Sequence, residues 1–284
     1  MSKNTCFITM AFFLAFVNAF SAEVWDGSVA TSFAGGTGTQ DDPYQIANAS
    51  QLAYMTTFMM QGDRYGDGNV TKGKYFVLTD DIIINDDTIN YPNKWSSIGF
   101  DNNNSLYVFS GYFDGQGHRI IGFTSWNTGN NVTEAQFCNC GLFASVSYAK
   151  IRNVKMTSIY AKSYGFVAMS AFTTFENISL YGVFEDVCYP ITSENGGMDT
   201  LIRIQTGGTC KAGGSGIMET LNKDIIQESF STMAFGKGQP AAGLTSSINS
   251  THINNYFLYP ILSLLICFRH IFLSIRYFYP FRWD

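Results

Sequence analysis

The stretch F-S-G-Y-F-D-G-Q-G-H-R-I-I-G-F, from Phe109 to Phe123, joins short apolar strand segments to glycines at fixed places. Gly115 and Gly117 let the backbone turn sharply where a side chain would clash. Phe109, Tyr112 with Phe113, Ile120 with Ile121, and Phe123 mark segments of about three to five residues, each ended by Gly or Asp/Asn rather than by a long loop. A chain of strands and bends in this order reads as a coil.

The pattern returns downstream with its spacing kept. Gly141-Leu142-Phe143-Ala144 is followed ten residues on by Ile151, with Asn153 two further. Gly165-Phe166-Val167-Ala168 is followed by Phe175 and Asn177 at the same offsets, one period of 24 residues later. Gly243-Leu244 is followed by Ile253 and Asn255, and Gly216-Ile217 with Ile226 is a degraded copy between them. Periods of about 20 to 30 residues with strand-like content indicate a solenoid whose units bury their apolar face only by stacking. The recurring asparagines suggest an inward ladder, each amide bonding its neighbours across rungs about 4.8 Å apart.

The phrase G-L-F-A…I-R-N-V-K-M resembles the GLUG repeat of bacterial surface and secreted proteins, including those that accompany IgA-specific metallopeptidases. Phe33 to Met55, F-A-G-G-T-G-T-Q-D-D-P-Y-Q-I-A-N-A-S-Q-L-A-Y-M, resembles the first module of the same proteins, and W-S-S-I-G-F followed by F-S-G-Y-F-D-G-Q-G-H-R-I resembles their first coils. The resemblance covers roughly residues 25–255. It implies an all-β, right-handed parallel β-helix outside the cell, and it is specific for architecture rather than for activity.

With 284 residues, 46% hydrophobic and only 14% charged, the chain can bury a sizeable core as one elongated domain or two small ones. The net charge of -5 and the lack of a Lys/Arg cluster in the mature region argue against a nucleic-acid partner. Residues 1–21 have the order of a secretory signal: Lys3, an apolar run from Cys6 to Val17, then small residues, with cleavage after Ser21 placing Ala19 at minus three. An uncleaved anchor fits less well, since the run is short for a bilayer. Residues 22–74 form an N-terminal segment with a capping helix, Gln51 to Met60, in which Leu52, Met55, Met59 and Phe58 share a face and Asn48 to Ser50 offer the N-cap. Residues 75–255 form the coil, with strands at Tyr75 to Leu78 and Ile82 to Ile84, and a longer loop is expected between Glu185 and Gln205, where the period fades.

Residues 256–284 form a hydrophobic aromatic tail. Its uncharged run, Tyr256 to Phe268, is thirteen residues long, about 20 Å as a helix against a bilayer core of about 30 Å. Three accounts are open: a marginal anchor that associates with a membrane, a plug over the last coil, or a tail altered by truncation or a change of frame. The abrupt loss of the repeat favours the third.

No residue reads as catalytic, cofactor-binding or metal-binding. Asp80/Asp81, Asp86/Asp87 and Asp41/Asp42 are adjacent pairs, and neighbours on a strand point to opposite faces, whereas glycoside hydrolysis needs two carboxylates converging about 5 to 10 Å apart. Gly117-His118-Arg119-Ile120 is faintly similar to motifs of pectin-degrading β-helices but reads as turn and strand. His118, His252 and His270 are scattered, without the H-E-x-x-H spacing of a zinc peptidase. Cys138-x-Cys140 has no matching second pair, and a disulfide from Cys188 to Cys210 or to Cys138/Cys140 stands beside buried free thiols as an equal alternative. The sequons at Asn48, Asn69, Asn103, Asn131, Asn177 and Asn249 matter only in a host that glycosylates. The expected function is therefore non-catalytic: a secreted or cell-surface protein that adheres to an extracellular polysaccharide or a surface glycan through an aromatic, Asn/Thr-rich flank. The alternative is a polysaccharide-active lyase or hydrolase whose carboxylates converge only in the fold.

Overall fold

The computed structural model describes residues 23–86, 90–101, 103, 105–125, 141–162, 164–192, 194–236, 241–243, 245–249, 252–254 and 257–258. Its strands, in chain order, are β1 (Tyr44–Ile46), β2 (Tyr75–Leu78), β3 (Ile82–Ile83), β4 (Tyr112–Asp114), β5 (Arg119–Ile121), β6 (Phe143–Ser147), β7 (Lys150–Ala161), β8 (Val167–Ala171), β9 (Thr174–Phe184) and β10 (Glu194–Asn195). They continue as β11 (Thr200–Cys210), β12 (Gly214–Ser215), β13 (Met218–Asn222), β14 (Ile225–Gln227), β15 (Phe230–Phe235), β16 (Ala241–Ala242), β17 (Thr245–Asn249), β18 (His252–Asn254) and β19 (Phe257–Leu258). Among the described residues there is one helix, α1 (Ala49–Met59). The protein is all-β apart from this helix.

Every pairing between these strands is parallel. The main sheet runs β1-β2-β4-β7-β9-β11-β14-β18, with β3-β5 and β15-β19 beside this path; β6, β8 and β10 form a second sheet, and β12-β16 and β13-β17 two smaller ones. Ile151 pairs with Phe175, Phe175 with Leu201, Leu201 with Ile226 and Ile226 with Ile253, in steps of 24, 26, 25 and 27 residues. Each pass of the chain is thus laid in register on the one before. The glycine phrase follows: the pairings Phe143 with Val167, Thr192 with Met218 and Met218 with Thr245 put Gly141, Gly165, Gly216 and Gly243 on one file.

Residues 185–205 are not a long loop, contrary to the expectation from sequence. β11 pairs with β9 from Thr200 to Cys210, and β10 pairs with β8. Pro190 holds the glycine position here, its carbonyl accepting from Phe166 N at 3.0 Å, and the pass is two residues longer than its predecessor. Proline can occupy that place because only its carbonyl is used. The glycine phrase vanished while the pairing continued.

One core runs along the inside. Phe113, Ile151, Phe175, Leu201 and Ile226 fill successive rungs, and Val154, Ile178 and Ile204 a parallel file. A train of rings, Phe76, Phe109, Phe143, Phe166 and Phe175, links the passes at centroid separations of 5.3 to 6.1 Å, mostly edge to face, the geometry that ring quadrupoles favour.

The helix begins two residues before its expected start. Asn48 is the N-cap, its Oδ1 accepting from Gln51 N at 3.0 Å, and Gln51 Oε1 accepts from Ala47 N at 2.8 Å. The first bond satisfies an amide that a helix leaves open at its start, and the second fixes the residue that leads into the cap. Leu52, Met55 and Met59 are buried, as is Ala49, while Phe58 lies in an aromatic cluster with Phe33, Tyr44 and Phe76. The far edge of β1, which ends the main sheet, is occupied: Gln45 N donates to Gly35 O and Ala34 N to Gln45 O, both at 2.9 Å. Unpaired strand edges recruit other chains, and this one is closed.

Candidate functional site

The corner between the second sheet and the main sheet carries the most exposed ring pair among the described residues. Phe109 pairs with Val146 and Tyr112 with Lys150, so two residues, Ser110 and Gly111, lie opposite three, Ser147, Tyr148 and Ala149. The extra residue bulges outward. Tyr148 takes up the bend with φ +54°, and Phe172 repeats it one pass later at +52°. The two rings stack at 4.7 Å with an interplanar angle of 1°, and Tyr148 is 71% exposed, Phe172 41%. The preceding pass has only serine and glycine there, and among the described residues Phe172 is the one ring that stacks on Tyr148. Beside this corner on the main sheet, Tyr75 and Tyr112 stack at 4.3 Å, with Lys150 and Thr174 continuing their file.

The next bend is where the repeated asparagines stand. Asn153 and Asn177 have φ +54° and +56°, the left-handed region that Asn tolerates better than most residues. Asn177 Nδ2 donates to Asn153 Oδ1 at 2.9 Å, and Asn153 Nδ2 to Asp114 Oδ1 at 2.9 Å. The amide ladder exists, but Asn177 is exposed and Asn153 half-buried, so it lies on the outside of the bend and not inward as its spacing suggested. On later passes the same place holds Arg203 and Glu228, also with positive φ. Backbone shape repeats there, and amide chemistry is one way of meeting it. Asn255 lies outside the described residues.

The carboxylates on this flank are matched by cations. Asp114 accepts from Arg152 Nε at 2.9 Å; Glu176 accepts from Arg203 Nη2 at 2.6 Å and lies 3.6 Å from Lys150 Nζ; Glu228 lies 3.8 Å from Arg203. Asp81 takes three bonds from Arg119, at 2.8, 2.9 and 2.6 Å, with His118 Nδ1 at 3.8 Å. Partial burial pushes the Asp81 carboxyl up, and the hydrogen bonds from Arg119 outweigh it, leaving a net lowering. Glu185 is likewise lowered, chiefly by its hydrogen bond from Lys211 at 2.5 Å. The lowering at Asp81 and Glu185 favours the ionised form, the opposite of what a proton donor in glycoside cleavage requires.

Asp199 is the opposite case. Burial pushes its carboxyl up to about 7, although Ser170 Oγ and Thr173 N donate to it at 2.5 and 2.7 Å. It sits inside the turn after Met198, and its own N–H donates to Asp224 Oδ1 at 2.7 Å. No local pattern marks this acid, whose signal is visible only after the passes are stacked.

The pairs considered from sequence are separated by role. Asp80 and Asp81 lie in a bend, not on a strand, Asp80 Oδ1 accepting from Asp81 N at 2.7 Å. Asp42 closes a turn through Thr39 Oγ1 at 3.1 Å. His118 is in the turn closed by its N–H to Gly115 O at 2.9 Å, and Arg119 opens β5. Asp87, Cys138, Cys140, Cys267 and His270, with residues 1–22 and most of the tail, lie outside the described residues. Cys188 and Cys210 are buried and free. Among the described residues no group of three His, Cys, Asp or Glu is placed to hold a metal ion, and no helix is long and apolar enough to cross a membrane.

A protein of Evansella cellulosilytica, provisionally described as a Gly-rich membrane protein, is 30% identical over 160 residues, which are 56% of this chain and 16% of that protein. This chain thus matches a small part of that relative's length. No family model matches the chain. No solved structure matches it either.

Proposed function

We propose that the chain is a right-handed parallel β-helix of the GLUG-repeat kind, exported to the cell surface or beyond, that binds an extracellular polysaccharide without cleaving it. In-register parallel passes at steps of 24 to 27 residues support the helix, and right-handedness follows the general rule for parallel crossovers. The observation that carries the binding reading is the step at Tyr148: an aromatic face left open above Ser110 and Gly111, with Tyr112, Lys150 and Thr174 alongside. An aromatic face is electron-rich, so it attracts the weakly positive C–H groups of a sugar ring, while neighbouring hydroxyl, ammonium and amide groups bond its hydroxyls. The name of the Evansella relative is compatible with a surface location.

Binding of the purified protein to an array of plant, bacterial and host glycans tests the reading. Tyr148→Ala is expected to weaken retention on the bound glycan about tenfold or more, equivalent to about 1.4 kcal/mol, without changing the melting temperature materially. Undiminished retention with Tyr148→Ala would move the site elsewhere.

A further inference from the structure

We propose that Cys188 and Cys210 close into a disulfide that cross-links two successive passes of the chain. The register places them: Cys210 pairs with Phe184 and Gly214 with Cys188, so the two cysteines bracket the same turn from opposite ends on adjacent passes. The Gly213 carbonyl ties them together, accepting from Cys188 N at 2.9 Å and from Cys210 Sγ at 2.7 Å. Each thiol acts on the other's titration: Cys188 holds its proton and Cys210 is drawn down to about 7, chiefly by its neighbour Cys188. Bridging needs two cysteines whose backbones lie close, and the register with the shared Gly213 carbonyl puts these two on adjacent passes around one turn.

The oxidant is a small-molecule disulfide of an oxidising compartment. One cysteine thiolate attacks it, forming a mixed disulfide and releasing one thiolate; the second cysteine, losing its proton, attacks that mixed disulfide and releases the other. Two protein thiols are oxidised to one disulfide, the reagent is reduced to two thiols, and the two protons pass to the leaving thiolates. Both cysteines are shut from solvent, 0% and 1% exposed. The exchange therefore belongs to folding, before the turn is sealed.

The test is to fold the full chain with oxidised and reduced glutathione, block free thiols in denaturant without reductant, digest, and map linked peptides by mass. The expected result is a Cys188-to-Cys210 peptide pair that separates on reduction, with a melting temperature several degrees higher than that of protein folded in dithiothreitol. In Cys188→Ala that difference should shrink. Alkylation of both residues in the oxidised wild type, or linkage of either to Cys138, Cys140 or Cys267, would overturn the proposal. The mapping needs no variant, so a misfolded Cys188→Ala would not obscure it.

Discussion

Asp199 concentrates the opposition between burial and charge. Its carboxyl is raised from 3.8 to about 7, so between those values the folded state keeps a proton that the unfolded chain has released. The contribution of this group to stability is greatest at low pH and falls as pH rises from about 4 to about 7, by on the order of 2–4 kcal/mol. Asp199→Asn keeps an oxygen for Thr173 N and removes the charge. Its urea midpoint should exceed that of the wild type at pH 8 and approach it at pH 5; an equal difference at both pH values would show that the carboxylate is not the cause. Nothing in the sequence around Met198 distinguishes this Asp from a surface turn acid, because the groups enclosing it come from the neighbouring pass: Ser170 and Thr173 on one side, Asp224 on the other.

At the scale of elements, close stacking sets which side chains the bends admit. Gly208 has φ +114°, and a Cβ there would stand 1.8 Å from Gly182 O, a backbone atom that cannot step aside. Gly117 has φ +85° with open space around it. Gly117→Ala should cost about 1–2 kcal/mol for the left-handed backbone alone, whereas Gly208→Ala should cost clearly more, since pass-to-pass hydrogen bonds must also separate. Equal losses in urea unfolding would contradict the stacking described. The glycines and the apolar residues at 151, 175, 226 and 253 made the stacking legible, because both answer to local geometry and period. The bends at Tyr148, Phe172, Arg203 and Lys223 were not legible, since their positive φ belongs to residues with no preference for it. It is the register with neighbouring passes that imposes it. Pro190 hid one rung for the complementary reason: it serves the role of a glycine through its carbonyl alone.

Over the whole molecule, alternating acids and bases follow the stacking direction, from Asp114 to Arg152, Glu176, Arg203 and Glu228. Exposed pairs of this kind add little stability each, typically below about 1 kcal/mol, but they engage the flank's carboxylates with cations. The rings of Tyr148 and Phe172 stand beside these pairs, reached by the network only through Lys150. This division of roles predicts retention without chemistry. The measurement that tests it most directly is incubation of the purified protein with each polysaccharide it retains, followed by assay of new reducing ends and of unsaturated uronic products. Retention with neither product is the predicted result; product formation abolished by Glu176→Gln or Asp114→Asn would contradict the account and make the flank an active site.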